Sequence, residues 1–105
     1  MVTATQVETC KTLNKVFVKC RAARGFLGGE LGIVIQGVDQ SYESFVEPDH
    51  VRFADGRIPQ NEEEKPGLIE AGIVQVNCDS MLVELPRQVI TAGRRVWIPK
   101  SEVAE

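Results

Sequence analysis

From Lys15 onward, apolar and polar residues alternate in short runs punctuated by glycine, proline, aspartate and asparagine, which is the pattern of half-buried β-strands joined by tight turns. Val16, Val18 and Cys20 alternate with Phe17, Lys19 and Arg21, so a strand here puts Phe17, Lys19 and Arg21 on one face. Upstream, Thr5-Gln-Val-Glu8 has the form of a capping box, and Val7, Cys10 and Leu13 come after it at helical spacing. A single helix could also run on through Phe17, Cys20 and Arg24 to a stop at Gly25. The alternation favours a short helix followed by a strand.

Further strands are expected at Ile33 to Val38, Tyr42 to Val46, Val51 to Phe53, Gly72 to Val76, Met81 to Leu85 and Arg95 to Ile98. Turns are expected at Ala54-Asp-Gly56 and Ala92-Gly93, because Asp-Gly takes positive φ at little cost. Gly25-Phe-Leu-Gly-Gly-Glu-Leu-Gly32 reads as a glycine-dense loop. The stretch Pro59 to Pro66 carries no large apolar residue and reads as an exposed linker.

The chain echoes itself at a spacing of forty residues. Glu30, Gly32, Ile33, Val34 and Asp39 recur as Glu70, Gly72, Ile73, Val74 and Asp79, and Ile58, Pro59 and Glu62 as Ile98, Pro99 and Glu102. Unrelated segments of that length would share about two identities at ordinary residue frequencies. Between these blocks, Pro48, Val51 and Ala54 align with Pro86, Val89 and Ala92 at thirty-eight. The expected organisation is one domain over residues 1–105. It divides into an N-terminal helix and first strand (1–29), repeat one (30–65) and repeat two (66–105), and the two repeats pack their apolar faces together.

Composition narrows the class without naming a chemistry. The 105 residues, 43% apolar and 26% charged, suffice for one ordinary globular core. No apolar run reaches bilayer length and the N-terminus lacks the pattern of a signal peptide, so the expectation is a cytoplasmic chain with no membrane association. Cys10, Cys20 and Cys78 are odd in number and share no short spacing, which argues against a disulfide framework or a zinc ribbon. The net charge of −3 conceals an asymmetry: +4 over residues 1–29, −6 over 30–65 and −1 over 66–105. Such a distribution pairs within the monomer, pairs between subunits, or binds polyanions.

The run Lys15-Val-Phe-Val, the glycines through Gly32-Ile-Val34, and Val51-Arg-Phe-Ala-Asp-Gly-Arg57 resemble the SH3-like barrels of the KOW and Tudor type. The ending Arg95-Val-Trp-Ile-Pro-Lys-Ser101 is similar to the last strand and short helical turn of small barrels in bacterial and phage mobile-element proteins. This resemblance implies a binding module for RNA, DNA or a peptide. The expected fold is therefore mainly β: an SH3-like small barrel or a pseudo-duplicated six-stranded sheet, with the short N-terminal helix.

His50, the sole histidine, lies between carboxylates in Glu47-Pro-Asp-His50, yet no spaced partners complete a triad or a metal site, and a turn histidine is the plainer reading. The glycines at 25, 28, 29 and 32 precede a strand-like Ile33-Val-Ile35 rather than a helix, so they read as a turn and not as a phosphate cradle. Three consecutive acids, Glu62 to Glu64, do not converge on a cation without a dedicated loop. Lys19, Arg21 and Arg24, with Lys15 and the interleaved Phe17 and Phe26, form either a nucleic-acid face or a solvated face neutralised by the acids of the next segment. Trp97 points opposite to Val96 and Ile98, and either fills the core or anchors an exposed contact surface with Arg94 and Arg95.

No catalytic residue, metal ligand or cofactor is assigned. The expected role is a small non-enzymatic binding or adaptor module that recognises a protein partner or itself, as a homodimer, through Trp97, Arg94 and Arg95. The alternatives are a nucleic-acid-binding barrel using Lys19, Arg21 and Arg24, and a small-ligand binder.

Overall fold

The computed structural model describes residues 15–25, 29–60, 62–90 and 93–104. The helix expected over residues 5–13 lies outside them, and the helical segments among the described residues are 3-10 turns at Pro48–His50 and Lys100–Glu102. The eight strands among the described residues are β1 (Lys15–Arg24), β2 (Leu31–Gln36), β3 (Ser41–Val46), β4 (Val51–Arg52), β5 (Glu64–Val76), β6 (Ser80–Val89), β7 (Gly93–Pro99) and β8 (Val103–Ala104).

They form a single antiparallel sheet in the order β4-β5-β1-β2-β3-β6-β7, with β8 on β1, rather than two separate three-stranded units. Because β5 pairs with β6 and β6 meets β3, the strands β1, β2, β3, β6 and β5 close into a five-stranded barrel. The order β5-β1-β2-β3 is a Greek key, in which the chain crosses from β3 through residues 47–63 to return beside β1. Each antiparallel seam reverses strand direction, and an odd number of reversals cannot close on straight strands. The ladders are interrupted in two of the five strands: the register breaks in β5 between Ile73 and Gln75 and in β6 between Glu84 and Val89, around Pro86, beyond which Val89 pairs with Ser44 of β3.

Alternation sorts the side chains between the core and the outer face. Val18, Cys20 and Ala22 of β1, Leu31, Ile33 and Ile35 of β2, Tyr42 and Val46 of β3, Ile69 and Ala71 of β5, Met81, Val83 and Leu85 of β6, and Val96 and Ile98 of β7 point inward and make one continuous core. Each large aliphatic buried this way contributes about 1.5–3 kcal/mol. Among the described residues Ser44 is the one buried polar side chain, and its hydroxyl donates to the Gln88 carbonyl at 2.7 Å.

The two Gly-Ile-Val segments of the forty-residue echo both lie in strands flanking β1, and both feed hairpins closed by the same bond. Gly37 N–H donates to Gln40 O at 2.8 Å and Asn77 N–H to Ser80 O at 2.9 Å. Beyond the hairpins the paths differ. Residues 93–99 form β7, whereas residues 53–60 contain no strand. Within the echoed strands, too, Ile33 is fully buried while its counterpart Ile73 is only partly buried, next to a register shift between Ile73 and Gln75.

The stretch expected as an exposed linker is only partly one. Pro59 is fully buried, and Glu64, Lys65 and Pro66 begin β5, opposite Ala23, Ala22 and Arg21. Backbone pairing to β1 decides the conformation there, a long-range effect that residue polarity does not report. Gly29, Gly56 and Gly93 have positive φ, which accounts for glycine in the β1–β2 loop, after β4 and at the start of β7.

Candidate functional site

The seam where β6 meets β3 holds a single paired position, Ser44 with Val89, and an open groove of about 520 Å³ lies along it. Its wall on β3 is Phe45. Ser44 and Val46 point inward, so Phe45 must point out, and it lies in register with Gly32 of β2. A Cβ at Gly32 would stand 3.4 Å from the Phe45 ring, so the glycine lets the ring lie against the sheet. The opposite wall comes from the bent end of β6 and the residue just beyond it: Pro86, Arg87, Gln88 and Ile90, with Arg94 reaching in from β7. Phe45 is 40% exposed and Ile90 62% exposed.

Two guanidinium groups stand beside these apolar side chains. Arg94 Nε donates to the Leu85 carbonyl at 3.0 Å, and Arg94 Nη2 lies 3.7 Å from Glu84. Arg87 Nη2 is 3.8 Å from Glu30. Arg94 is thus held by a backbone carbonyl, while Arg87 has only a long, half-exposed ion pair. Arg95 turns to the outer face of β7, where Nε donates to Glu84 Oε1 at 3.0 Å.

Trp97 lies on that same outer face, half-buried and opposite Leu82, with its carbonyl accepting the Val38 N–H at 3.0 Å. The core is filled by its neighbours Val96 and Ile98. Three residues along one strand separate Trp97 from Arg94, about 10 Å, and Trp97 does not line the groove.

The basic residues of β1 lie elsewhere. Phe17, Lys19 and Arg21 share the outer face, as alternation requires. Arg21 Nε donates to Glu64 at 2.9 Å and Lys15 contacts Glu70 at 3.2 Å, so acids from β5 neutralise part of this face. Lys19 and Arg24 are exposed and make no ion pair among the described residues. Arg52 of β4 has no distinguishing mark in the sequence, yet its guanidinium carbon sits 4.4 Å over the Phe17 ring.

The remaining candidates do not converge. His50 is half-buried at the end of a 3-10 turn, and no three His, Cys, Asp or Glu residues could hold a metal ion among the described residues. Glu63 accepts the Gln60 N–H at 3.1 Å while Glu64 turns to Arg21, so the acidic run diverges. Cys78 is exposed and Cys20 is buried. Burial raises the Cys20 thiol to about 11, against a smaller lowering by a backbone hydrogen bond at Gly67. A thiol in that state is not a nucleophile at neutral pH.

Phe45, Arg87 and Ile90 are not marked as a group by the sequence because their meeting depends on the β3–β6 closure. The one local signal is parity, which makes Phe45 the outward aromatic between two inward positions. No family model, curated protein or solved structure matches the chain.

Proposed function

We propose that this chain is a small non-enzymatic binding module that takes a protein partner at the β3–β6 groove, with Arg94 inside it and Arg95 and Trp97 on the adjoining outer face. The observation that carries this reading is the exposure of Phe45 and Ile90 beside Arg87 and Arg94. Aromatic and arginine side chains are enriched at protein hot spots, and aliphatic side chains left this open invite cover. Arg94 is already fixed by the Leu85 carbonyl, so ordering it on binding costs little further entropy. Self-association as a homodimer is the special case in which the partner is a second copy, favoured by the edge position of β7. The SH3-like resemblance belongs to the same proposal, since barrels of that kind act as recognition modules.

A photo-crosslinking residue placed at Ile90 in the producing cell tests this. A discrete protein adduct is expected at Ile90 and not at the exposed Val76, and an adduct of twice the chain mass identifies the homodimer. Absence of an adduct at Ile90, or the same products from both positions, removes the proposal.

A further inference from the structure

A second surface, formed by the outer faces of β1, β4 and β5, makes no use of the groove. We propose that this face binds single-stranded nucleic acid, with Phe17 and Arg52 as a stacking platform and Lys19 as a phosphate contact.

The register builds the site. Arg52 of β4 and Lys19 of β1 are both paired to Leu68 of β5, so the three form one rung across the sheet. At the usual strand spacing the two cations flank Leu68 about 10 Å apart. One step along β1, Phe17 faces out between Lys15 and Lys19, and the Arg52 guanidinium lies over its ring at 4.4 Å. The stacked pair presents a planar cation already held in place.

Electrostatics select the sign of the ligand. The two acids on this face, Glu64 and Glu70, are engaged by Arg21 and Lys15. Arg52 and Lys19 make no ion pair among the described residues, although the chain as a whole carries −3. Glu70, in register with Phe17, is taken up by Lys15, so a protein with acid in excess leaves two cations beside this aromatic ring with no ion-pair partner among the described residues. The complement is an anion that also offers a flat π face. An acidic peptide would match the charge and leave the platform unused. In a duplex the bases are stacked inside and cannot reach it. A single strand offers both phosphate and an accessible base.

The test is fluorescence anisotropy of the full chain with labelled oligo(U) and oligo(dT) of about 20 nucleotides, from about 50 to about 200 mM salt. Binding is expected at the lower salt and should weaken about tenfold at the higher, the response to roughly two or three phosphate contacts. F17A should weaken binding about tenfold through loss of stacking, and F17Y should retain it. K19E combined with R52E, both at outward positions, should abolish binding with an unchanged circular dichroism spectrum. I90D, in the groove, should leave it intact, which separates this site from the protein-binding proposal. The inference is overturned by no binding at the lower salt, by equal affinity for duplex, or by F17A binding as well as wild type while heparin competes equally, a result that marks a non-specific polyanion surface.

Discussion

The ammonium of Lys65 stands 2.7 Å from each carboxylate oxygen of Asp55, and it also donates to the Arg57 carbonyl at 2.8 Å. Lys65 shares the inward parity of Gly67 and Ile69 at the start of β5. Its side chain is only 15% exposed, whereas that of Asp55 is 55% exposed. The Phe53 ring centroid lies 5.2 Å from the ammonium. One cation thus ties the turn after β4 to the first residues of β5 and lets the chain cross the barrel's end.

This contact sets a pH dependence. The hydrogen bond from Lys65, and then the Arg57 N–H, hold the Asp55 carboxyl below its ordinary value of 3.8. A depressed folded value contributes stability that is present above the unfolded value and lost as pH falls through the folded one. Urea midpoints measured from neutral pH down to about pH 2 should fall at the acid end in wild type. In D55N the part of that fall due to this group should vanish.

The glycines of the two hairpins should respond oppositely to alanine. At Gly37 a Cβ would run into the Tyr42 ring and stand 2.7 Å from the Gln40 carbonyl oxygen, so the turn itself must move. G37A should cost about 1–3 kcal/mol in chemical denaturation. At Gly72, in β5, nothing lies within 4 Å. G72A should be neutral or raise stability by up to about 1 kcal/mol, as removing glycine from a strand does.

Positions equivalent in the forty-residue echo should carry unequal weight. Ile33 is fully buried, while Ile73 is only partly buried against the same core. I33A should cost about 2–5 kcal/mol, and I73A about 1 kcal/mol in line with its smaller burial. Equal losses would mean the two segments are packed alike.

Thiol chemistry should discriminate between the cysteines. At about pH 8, iodoacetamide should modify Cys78 in the native protein and spare Cys20 until urea is added, as read by peptide mass mapping. The raised Cys20 value also removes stability as pH climbs from its ordinary 9.0 towards about 11, because the unfolded chain releases that proton first.

Much of the architecture is legible in local pattern. Parity sets Phe17, Lys19 and Arg21 on the face opposite Val18 and Cys20, which the structure shows to be the outer one, and the glycines at 56 and 93 mark turns that need positive φ. What escapes is whatever depends on pairs far apart in the chain. The start of β5 looks like a polar linker because its partners are Ala22 and Ala23, some forty residues earlier. The groove side chains come together only through the pairing of Ser44 with Val89, and Arg52 reaches Phe17 only because β4 and β1 flank β5. Trp97 illustrates the limit of parity: alternation opposes it to Val96 and Ile98, but only the assembled sheet shows which side is core.

The notch beside Phe45 is a product of arithmetic as much as of side chains. A ring with an even tally of antiparallel members could seal itself with full ladders all round. Five such members cannot, and at the β3–β6 seam the ladder shrinks to one paired position beside a cleft. Any descendant that acquired a sixth stave at this seam would become more symmetrical and would lose the cleft in doing so.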